Sequence, residues 1–598
     1  LRALFETPTV RGMADQVRES RNDSLDEIAP KTINRYQIPL SYNQQRLWFM
    51  DRLTTEKAAY NVPILLDLHG KLDVQALNHS INKVIERHEI LRTYFKDGEK
   101  VVQVVEEELR IETPVVNLMV LSDEERQHRI MAMKREEVHK PFNLEVGPLI
   151  RSLIIQETPN KYLFILNIHH ILVDGWSIKI LIEEIASFYI SYINKTEPNL
   201  PTLPIQYGDY AAWQRDWLEG HYLDKQLNYW KEKLNHSMST LSLRTDYLRP
   251  KKLKHIGGKE SIELSSEIVE AVRNLNHDKN VTSYMTFMAA FKVLLYCYTK
   301  QEDLSIGTLI GNRTKSEIEH LIGFFVNTIV IRMKISESQK FEDLLDDVRT
   351  TVLEAYANQE VPFDKIVEEV QPKRTLGYSP LFQVLYTYES NLKSNFKFGD
   401  VSVNPHPFDS DYTKFDLTLA VEDLKDKVKL TMEYNSSLFN KETIIRMLDD
   451  LRIIIKEIVA ASNVSLKRLS TILDIESKYQ ETYPNKGENK QMISTKKQFK
   501  DPNMNEEKDL IPSNMLEVKM KTIWQEILEV EEVKGTDNFF ELGGHSLNAL
   551  QMISKLKKMY KVNIPVSYIF DNPSLTQFTS AVLLAILSDI ECSTGEEL

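Results

Sequence analysis

Near its C-terminal end this chain crosses a stretch with little to bury, and that break decides how the rest is read. From Glu476 to Pro512 the residues are chiefly lysine, glutamate, asparagine and glutamine, interrupted by Pro484-Asn485-Lys486-Gly487 and Asp501-Pro502-Asn503. Such a composition holds too little apolar surface to offset the entropy of ordering it. Residues 476–512 therefore read as a flexible linker between a large mixed α/β block over 38–475 and a small helical block over 513–590. At 598 residues, 42% of them hydrophobic, the chain has material for more than one core.

Charge and cysteine content narrow the function classes. Lysine and arginine number 74 against 87 aspartates and glutamates, a formal net charge of −13, with no basic run to follow a phosphate backbone, so nucleic acid is not expected as a partner. Cys297 sits in an apolar run and Cys592 in a polar tail, which argues against a disulfide framework or a cysteine metal site and for a reducing cytoplasm. No segment approaches the roughly 20 apolar residues of a membrane span, and Leu1 to Phe5 lack the pattern of a signal peptide. The absence of a starting methionine points to a piece of something longer.

Periodicity places the motifs. Tyr162 to Ile168 is a short, nearly continuous apolar run suited to a buried strand, and Ile178, Leu181, Ile182, Ile185 and Phe188 mark a helix. In the small block, Leu516, Met520, Ile523, Trp524, Ile527 and Leu528 form one apolar face, with Asn514 and Glu517 spaced as a capping box. A second helix is expected from Ser546, through Leu547, Leu550, Ile553 and Leu556, and a third after Pro573. The segment Leu4-Phe5-Glu6-Thr7-Pro8-Thr9-Val10 aligns with Ile569-Phe570-Asp571-Asn572-Pro573-Ser574-Leu575, so one module recurs at both ends of the chain.

Between that strand and helix lies His169-His170-Ile171-Leu172-Val173-Asp174-Gly175-Trp176-Ser177. Neighbouring residues leaving a strand point to opposite sides, so only one histidine readily faces a given cleft and the other serves packing. Amide formation from a thioester needs an uncharged amine, an acceptor for its proton and a donor for the carbonyl oxygen. A neutral imidazole, with an ordinary value of about 6.5, suits the first two demands. Asp174 is placed to orient the loop by pairing with an arginine, and Gly175 lets a backbone N–H approach a reacting group. Most lone histidines at strand ends are structural. Two adjacent ones raise the question of a metal, but neither an HExxH pattern nor a cysteine cluster accompanies them, and none is expected.

The nine-residue string resembles the HHxxxDG signature of the condensation domains of non-ribosomal peptide synthetases. Further segments in chain order resemble the family's other motifs: Leu40 to Phe49 with Arg46 inside it, Arg87 to Thr93, Tyr207 to Gln214, Ile306 through Arg313 to Asn327-Thr328, Asn358 to Phe363, and Ser379 to Gln383. Asn358 stands where a histidine is usual, and Gly377-Tyr378 depart from the last motif. The resemblance implies a two-lobed fold like chloramphenicol acetyltransferase, with an N-lobe over 38–205, a C-lobe over 206–475 and a tunnel between them. It also implies that His170 is the functional histidine, as base or as positioner of the amine. His169 sits beside it, Asp174 pairs with an arginine, for which Arg313 is the candidate, and Asn327 and Arg46 support the site.

The run Asp537 to Leu547, with Gly543-Gly544-His545-Ser546 at its centre, resembles a peptidyl carrier domain, a small four-helix bundle. Serine before a helix is ordinarily a cap. The resemblance makes Ser546 the attachment point of 4′-phosphopantetheine, installed by a phosphopantetheinyl transferase, and residues 1–22 the end of an upstream carrier. That carrier would supply the donor, and a downstream module or thioesterase would take the product. The linker is too short for an adenylation domain, so the acceptor amino acid arrives from an enzyme acting in trans, unless that domain has been removed from between the two. Rival readings are an acyltransferase to a soluble amine or alcohol and a catalytically silent docking scaffold. An epimerization domain fits the later motifs less well, and a heterocyclization domain would carry aspartate at the first histidine.

Overall fold

A computed structural model describes residues 28–475 and 513–594, apart from 32, 55, 99, 219–220, 235–239, 251–255, 373–377, 391–396, 408–411, 425–426, 529, 540–541, 543, 545, 561–563, 565–567 and 570–571. The upstream carrier remnant at 1–22 and the linker at 476–512 lie outside the described residues. The chain divides into two compact units, the larger holding all three sheets and the smaller the C-terminal helices together with Gln45–Lys57.

The first large sheet has six strands in the order Lys397–Phe398, Val401–Pro405, Asn61–His69, Lys161–His169, Ile150–Thr158 and Val115–Asn117. All neighbours run antiparallel except the last pair. The apolar run at Tyr162–Ile168 is its central strand, extended by one residue at each end and buried along nearly its whole length. A strand covered on both faces needs no polar alternation, which is why its sequence shows none. On one face Leu163 and Ile165 pack with Leu65 and Ile155 against Ile130 and Met133 of the helix Asp123–His139. Two residues along, Asn167 Nδ2 donates to the Glu137 carbonyl of the same helix at 2.8 Å.

The second large sheet runs Asn327–Lys334, Asp303–Ile310, Val384–Ser390, Leu417–Asp423, Val428–Asn435 and Gly257–Leu264, with parallel pairs only around Val384–Ser390. Its core is organised by the helix Ser283–Thr299, in which every residue from Met285 to Cys297 is buried. That burial takes in Lys292, whose ammonium donates to the carbonyls of Ile331 at 2.9 Å and Leu304 at 3.3 Å. Loss of hydration pulls this lysine down to about 7. A small sheet of Ile38–Pro39, Val102–Val105 and Thr93–Lys96 completes the unit.

The lobe boundary expected at 205/206 does not separate the two large sheets. Residues 397–405, deep in the second half, pair with Asn61–His69 and extend the first sheet, so the chain crosses back. Tyr189 packs on Phe398 at 5.6 Å and anchors the crossing. Sequence periodicity gives no partner for so short a strand.

In the smaller unit the helices Ser513–Leu528, Ser546–Tyr560 and Leu575–Thr594 enclose Met520, Trp524, Phe539, Met552, Leu556, Phe578 and Val582. Tyr568 and Ile569 carry a helical turn whose neighbours lie outside the described residues. The helix begins at Ser513, and the Asn514 side chain of the expected capping box lies outside the described residues. Glu517 accepts a hydrogen bond from Thr576 Oγ1 at 3.2 Å.

A close approach in the second sheet yields a test of the packing. A Cβ on Gly307 would lie 2.3 Å from the Phe382 ring. Gly307→Ala is expected to destabilise this unit by about 1–3 kcal/mol through overpacking, measured as a lowered midpoint in urea denaturation.

Candidate active site

The histidine loop is shaped by where the central strand ends. His169 continues the alternation of Leu163, Ile165 and Asn167, so its ring stays in the core, fully buried and edge-on to Phe142 at 6.2 Å. Its Nδ1 accepts the amide hydrogen of Ile171 at 3.2 Å, which fixes the ring as part of the turn. At His170 the chain leaves the strand into a single 3₁₀ turn, His170–Leu172, closed by Val173 N–H on the His170 carbonyl. The His170 amide donates to the Tyr60 carbonyl at 2.9 Å. Its side chain retains partial solvent access.

One hydrogen bond sets the chemistry of that ring. His170 Nδ1 lies 2.7 Å from the Val173 carbonyl oxygen, which can only accept. Nδ1 therefore carries the hydrogen, and Nε2 presents a lone pair. Burial, and after it the Lys414 ammonium, pull the imidazole down to about 4, against smaller opposing effects from Val173 and Asp174. Phe324 meets the ring edgewise at 4.9 Å. At neutral pH the group is a neutral base with its accepting nitrogen defined.

Asp174 lies outside proton-transfer reach of any cleft because all its acceptor capacity is spent. It caps the helix Gly175–Asn194 through Ser177 N–H at 2.8 Å. Its other oxygen accepts from Phe325 and Val326 N–H at 3.0 and 3.2 Å. The guanidinium of Arg313 approaches at 3.4 Å, and both side chains are almost wholly buried. Arg313 further donates to Ser177 Oγ at 2.8 Å, to the Leu321 carbonyl at 2.7 Å and to the Ile318 carbonyl, and lies over the Phe325 ring. Ser177 Oγ donates to the Gly323 carbonyl and accepts from Gly323 N–H. This network clasps the histidine loop to the 311–326 connection of the second sheet.

The remaining candidates fall elsewhere or beside the loop. Gly175 opens the helix with nothing within 4 Å of where a Cβ would stand, so space lies before it. Asn327 is not brought to His170; it donates to the carbonyls of Gln359 and Val361 at 2.8 and 2.7 Å and accepts from Phe363 N–H at 3.2 Å, tying the second sheet to the helix Phe363–Val370. Arg46 lies half-buried on the helix Tyr42–Leu53. Asn358 ends the helix Phe341–Ala357, where its carbonyl accepts from the Trp230 indole at 2.8 Å. Tyr378 stacks under Arg249 at 4.0 Å, while Gly377 lies outside the described residues. The Val173 carbonyl, Phe324 and Lys414 were not singled out by sequence reasoning; a backbone acceptor has no side-chain signature, and Lys414 is far away in sequence.

In the smaller unit Ser546 is the first residue of a 15-residue helix. The first N–H groups of a helix lack intrahelical acceptors, so a phosphodiester there meets the positive end of the helix. Just upstream, Gly544 N–H donates to the Phe539 carbonyl at 2.9 Å, and a Cβ on Gly544 would lie 2.5 Å from the Phe539 ring. Phe539 is in turn locked by Pro573 and packs on Trp524 at 5.0 Å. Gly544, two residues ahead of Ser546, is thus packed on the core. Gly543 and His545 lie outside the described residues, as do the side chains of Ser546, Leu547 and Leu550.

Known proteins share this architecture. The X-domain from teicoplanin biosynthesis matches with a TM-score of 0.67 at 21% identity, covering 74% of this chain and 99% of that one, a likeness of fold. The fold of the larger unit is the chloramphenicol acetyltransferase-like one, built on mixed α/β sheets. Residues 34–480 match the family described as condensation domain, and residues 518–582 that described as phosphopantetheine attachment site. The chain belongs to the condensation-domain family and carries a C-terminal carrier domain for covalent phosphopantetheine. Linear gramicidin synthase subunits C and D of Brevibacillus parabrevis are each 38% identical to it, over 476 and 483 residues, or 78% and 80% of this chain. The chain spans only 6% and 10% of their lengths. Among the described residues no helix is long and apolar enough to cross a membrane.

The clasp carries a prediction about stability. Asp174→Ala leaves the Arg313 guanidinium buried without its counter-charge, and is expected to cost about 3–5 kcal/mol. Differential scanning calorimetry should show the larger unit's transition falling well below that of the parent.

Proposed function

We propose that this chain catalyses one condensation step of non-ribosomal peptide synthesis, joining an acyl or peptidyl thioester on an upstream carrier to the amine of an aminoacyl thioester held on Ser546. The observation that carries the reading is the Nδ1 hydrogen bond of His170 to Val173, which leaves Nε2 as a neutral proton acceptor on a residue that keeps partial solvent access within an otherwise buried turn.

In this reading the amine nitrogen attacks the thioester carbonyl, a C–N bond forms and the C–S bond breaks. The amine's proton passes to His170 Nε2 and from there to the departing thiolate, so the imidazole ends as it began. His169 fixes the turn, while Asp174 and Arg313 hold the loop against the second half of the domain. The open space before Gly175 leaves room for a reacting group, and Asn327 and Arg46 act only through the frame. The phosphopantetheine arm supplies the thioester and the reach, and tethering supplies effective concentration that a free amine lacks.

The domain limits 38–205, 206–475, 476–512 and 513–590 are proposed with this reading, with 397–405 crossing back to the first sheet and residues 1–22 being the end of the donor carrier. A phosphopantetheinyl transferase, an adenylating enzyme acting in trans and a downstream module or thioesterase complete the partners. A cytoplasmic location fits the cysteine content.

Two variants test the assignment. His170→Ala is expected to slow single-turnover amide formation by about a hundredfold or more; an unchanged rate would remove the proton-acceptor role. Ser546→Ala is expected to abolish the mass increase that follows incubation with coenzyme A and a transferase, and a persisting increase would move the attachment elsewhere.

A further inference from the structure

Lys414 lies on the segment leading into the strand Leu417–Asp423, more than two hundred residues from the histidine loop. The flanking residues are firmly held. Thr413 is buried, with Oγ1 donating to the Phe415 carbonyl at 3.2 Å. Phe415 packs on Phe382 at 5.2 Å. Asp416 is buried and paired with both terminal nitrogens of Arg249, and its N–H donates to the Gln383 carbonyl. On the other side, Tyr412 bridges to Ile256. A segment so anchored presents the intervening lysine at a defined place.

That place is the residue that positions His170. Lys414 Nζ stands 5.1 Å from the centre of the Tyr60 ring, a cation over an aromatic face. The Tyr60 carbonyl accepts the His170 amide, and its ring is 6.3 Å from that of His169. A charge from the second half of the domain is thus fixed over the very residue that fastens the catalytic turn in the first.

Among the described residues, the charged groups with the largest effects on the imidazole are Lys414 and Asp174. Asp174 is compensated by Arg313 and three N–H groups, so its negative charge is largely answered locally. The Lys414 ammonium, which borders solvent, has the larger effect of the two.

We propose that Lys414 is a positioning residue for the condensation reaction, whose ammonium, seated over Tyr60, keeps the His170 imidazole neutral before attack and drives its acquired proton on to the leaving thiolate. The proposal rests on the reading of His170 as proton acceptor. A like charge nearby raises the energy of the imidazolium, so the ring takes the amine's proton only transiently. A hydrophobic residue at 414 would leave a more basic ring that holds its proton longer.

The test uses the full chain with Lys414→Met and Lys414→Arg. The His170 ring is followed by NMR titration of histidine-labelled protein. In parallel, single-turnover amide formation is measured against pH, with the carrier loaded from aminoacyl-coenzyme A and aminoacyl N-acetylcysteamine thioesters as donors. Removing a positive charge stabilises the imidazolium, so in Lys414→Met the titration should move up toward the ordinary histidine value by about one pH unit or more. The acid limb of the rate should move up with it, and Lys414→Arg should restore both. An unchanged His170 titration in Lys414→Met, in protein with the parent's thermal midpoint, would overturn the proposal. A moved titration with an unmoved rate limb would uphold Lys414 as the source of the field and overturn the proton-acceptor reading of His170.

Discussion

The Val173 carbonyl decides which nitrogen of His170 holds a hydrogen, and the chemistry assigned to this fold follows from that choice. Because a carbonyl cannot donate, the ring facing it at 2.7 Å must carry its hydrogen on Nδ1. The bond closes within three residues, inside a turn that starts where the central strand ends and stops where the helix at Gly175 begins. The strand sets the direction of the two histidines, and the turn sends one of them out of the core. The helix fixes Val173 by capping on the residue that follows it.

That cap is also the joint between the two halves of the domain. A single carboxylate, Asp174, answers one N–H from its own helix and two from the 311–326 connection, while Arg313 closes the cluster. A buried ion pair of this kind contributes less to net stability than to uniqueness, since its alternatives leave a charge unanswered. Tyr207 adds a second tie, bonding Ser41 and the Phe324 carbonyl on its way across. The strand Val401–Pro405 adds a third by returning from the second half to the first sheet. On the proposed function, in which His170 serves two tethered substrates as proton acceptor, this stiffness matters because a small displacement of the ring costs rate steeply.

Much of this was legible in the sequence where local rules operate. The nearly continuous apolar run of Tyr162–Ile168 announced a buried strand, and the period from Ile178 to Phe188 announced the helix after it. Alternation along the strand shows only that one of the two histidines packs while the other faces a cleft; that His170 is the latter is what the resemblance implies, and the burial of His169 agrees. The helix at Ser546 followed from spacing alone. What stayed hidden was made by distant segments. Asn327 sits in a motif beside the site, yet its amide is consumed by Gln359 and Val361, and no linear pattern reveals which way a buried side chain turns. Residues 397–405 look like a loop in sequence and act as sheet edge, since a strand of two to five residues carries almost no periodic signal.

The claim at the centre of this account is the protonation state of one ring, and nitrogen-15 NMR of His170 in the intact chain reads it directly. The account predicts a neutral imidazole at pH 6 to 8, with the hydrogen on Nδ1 and a bare Nε2. A ring carrying its hydrogen on Nε2, or one already an imidazolium at pH 6.5, would contradict it.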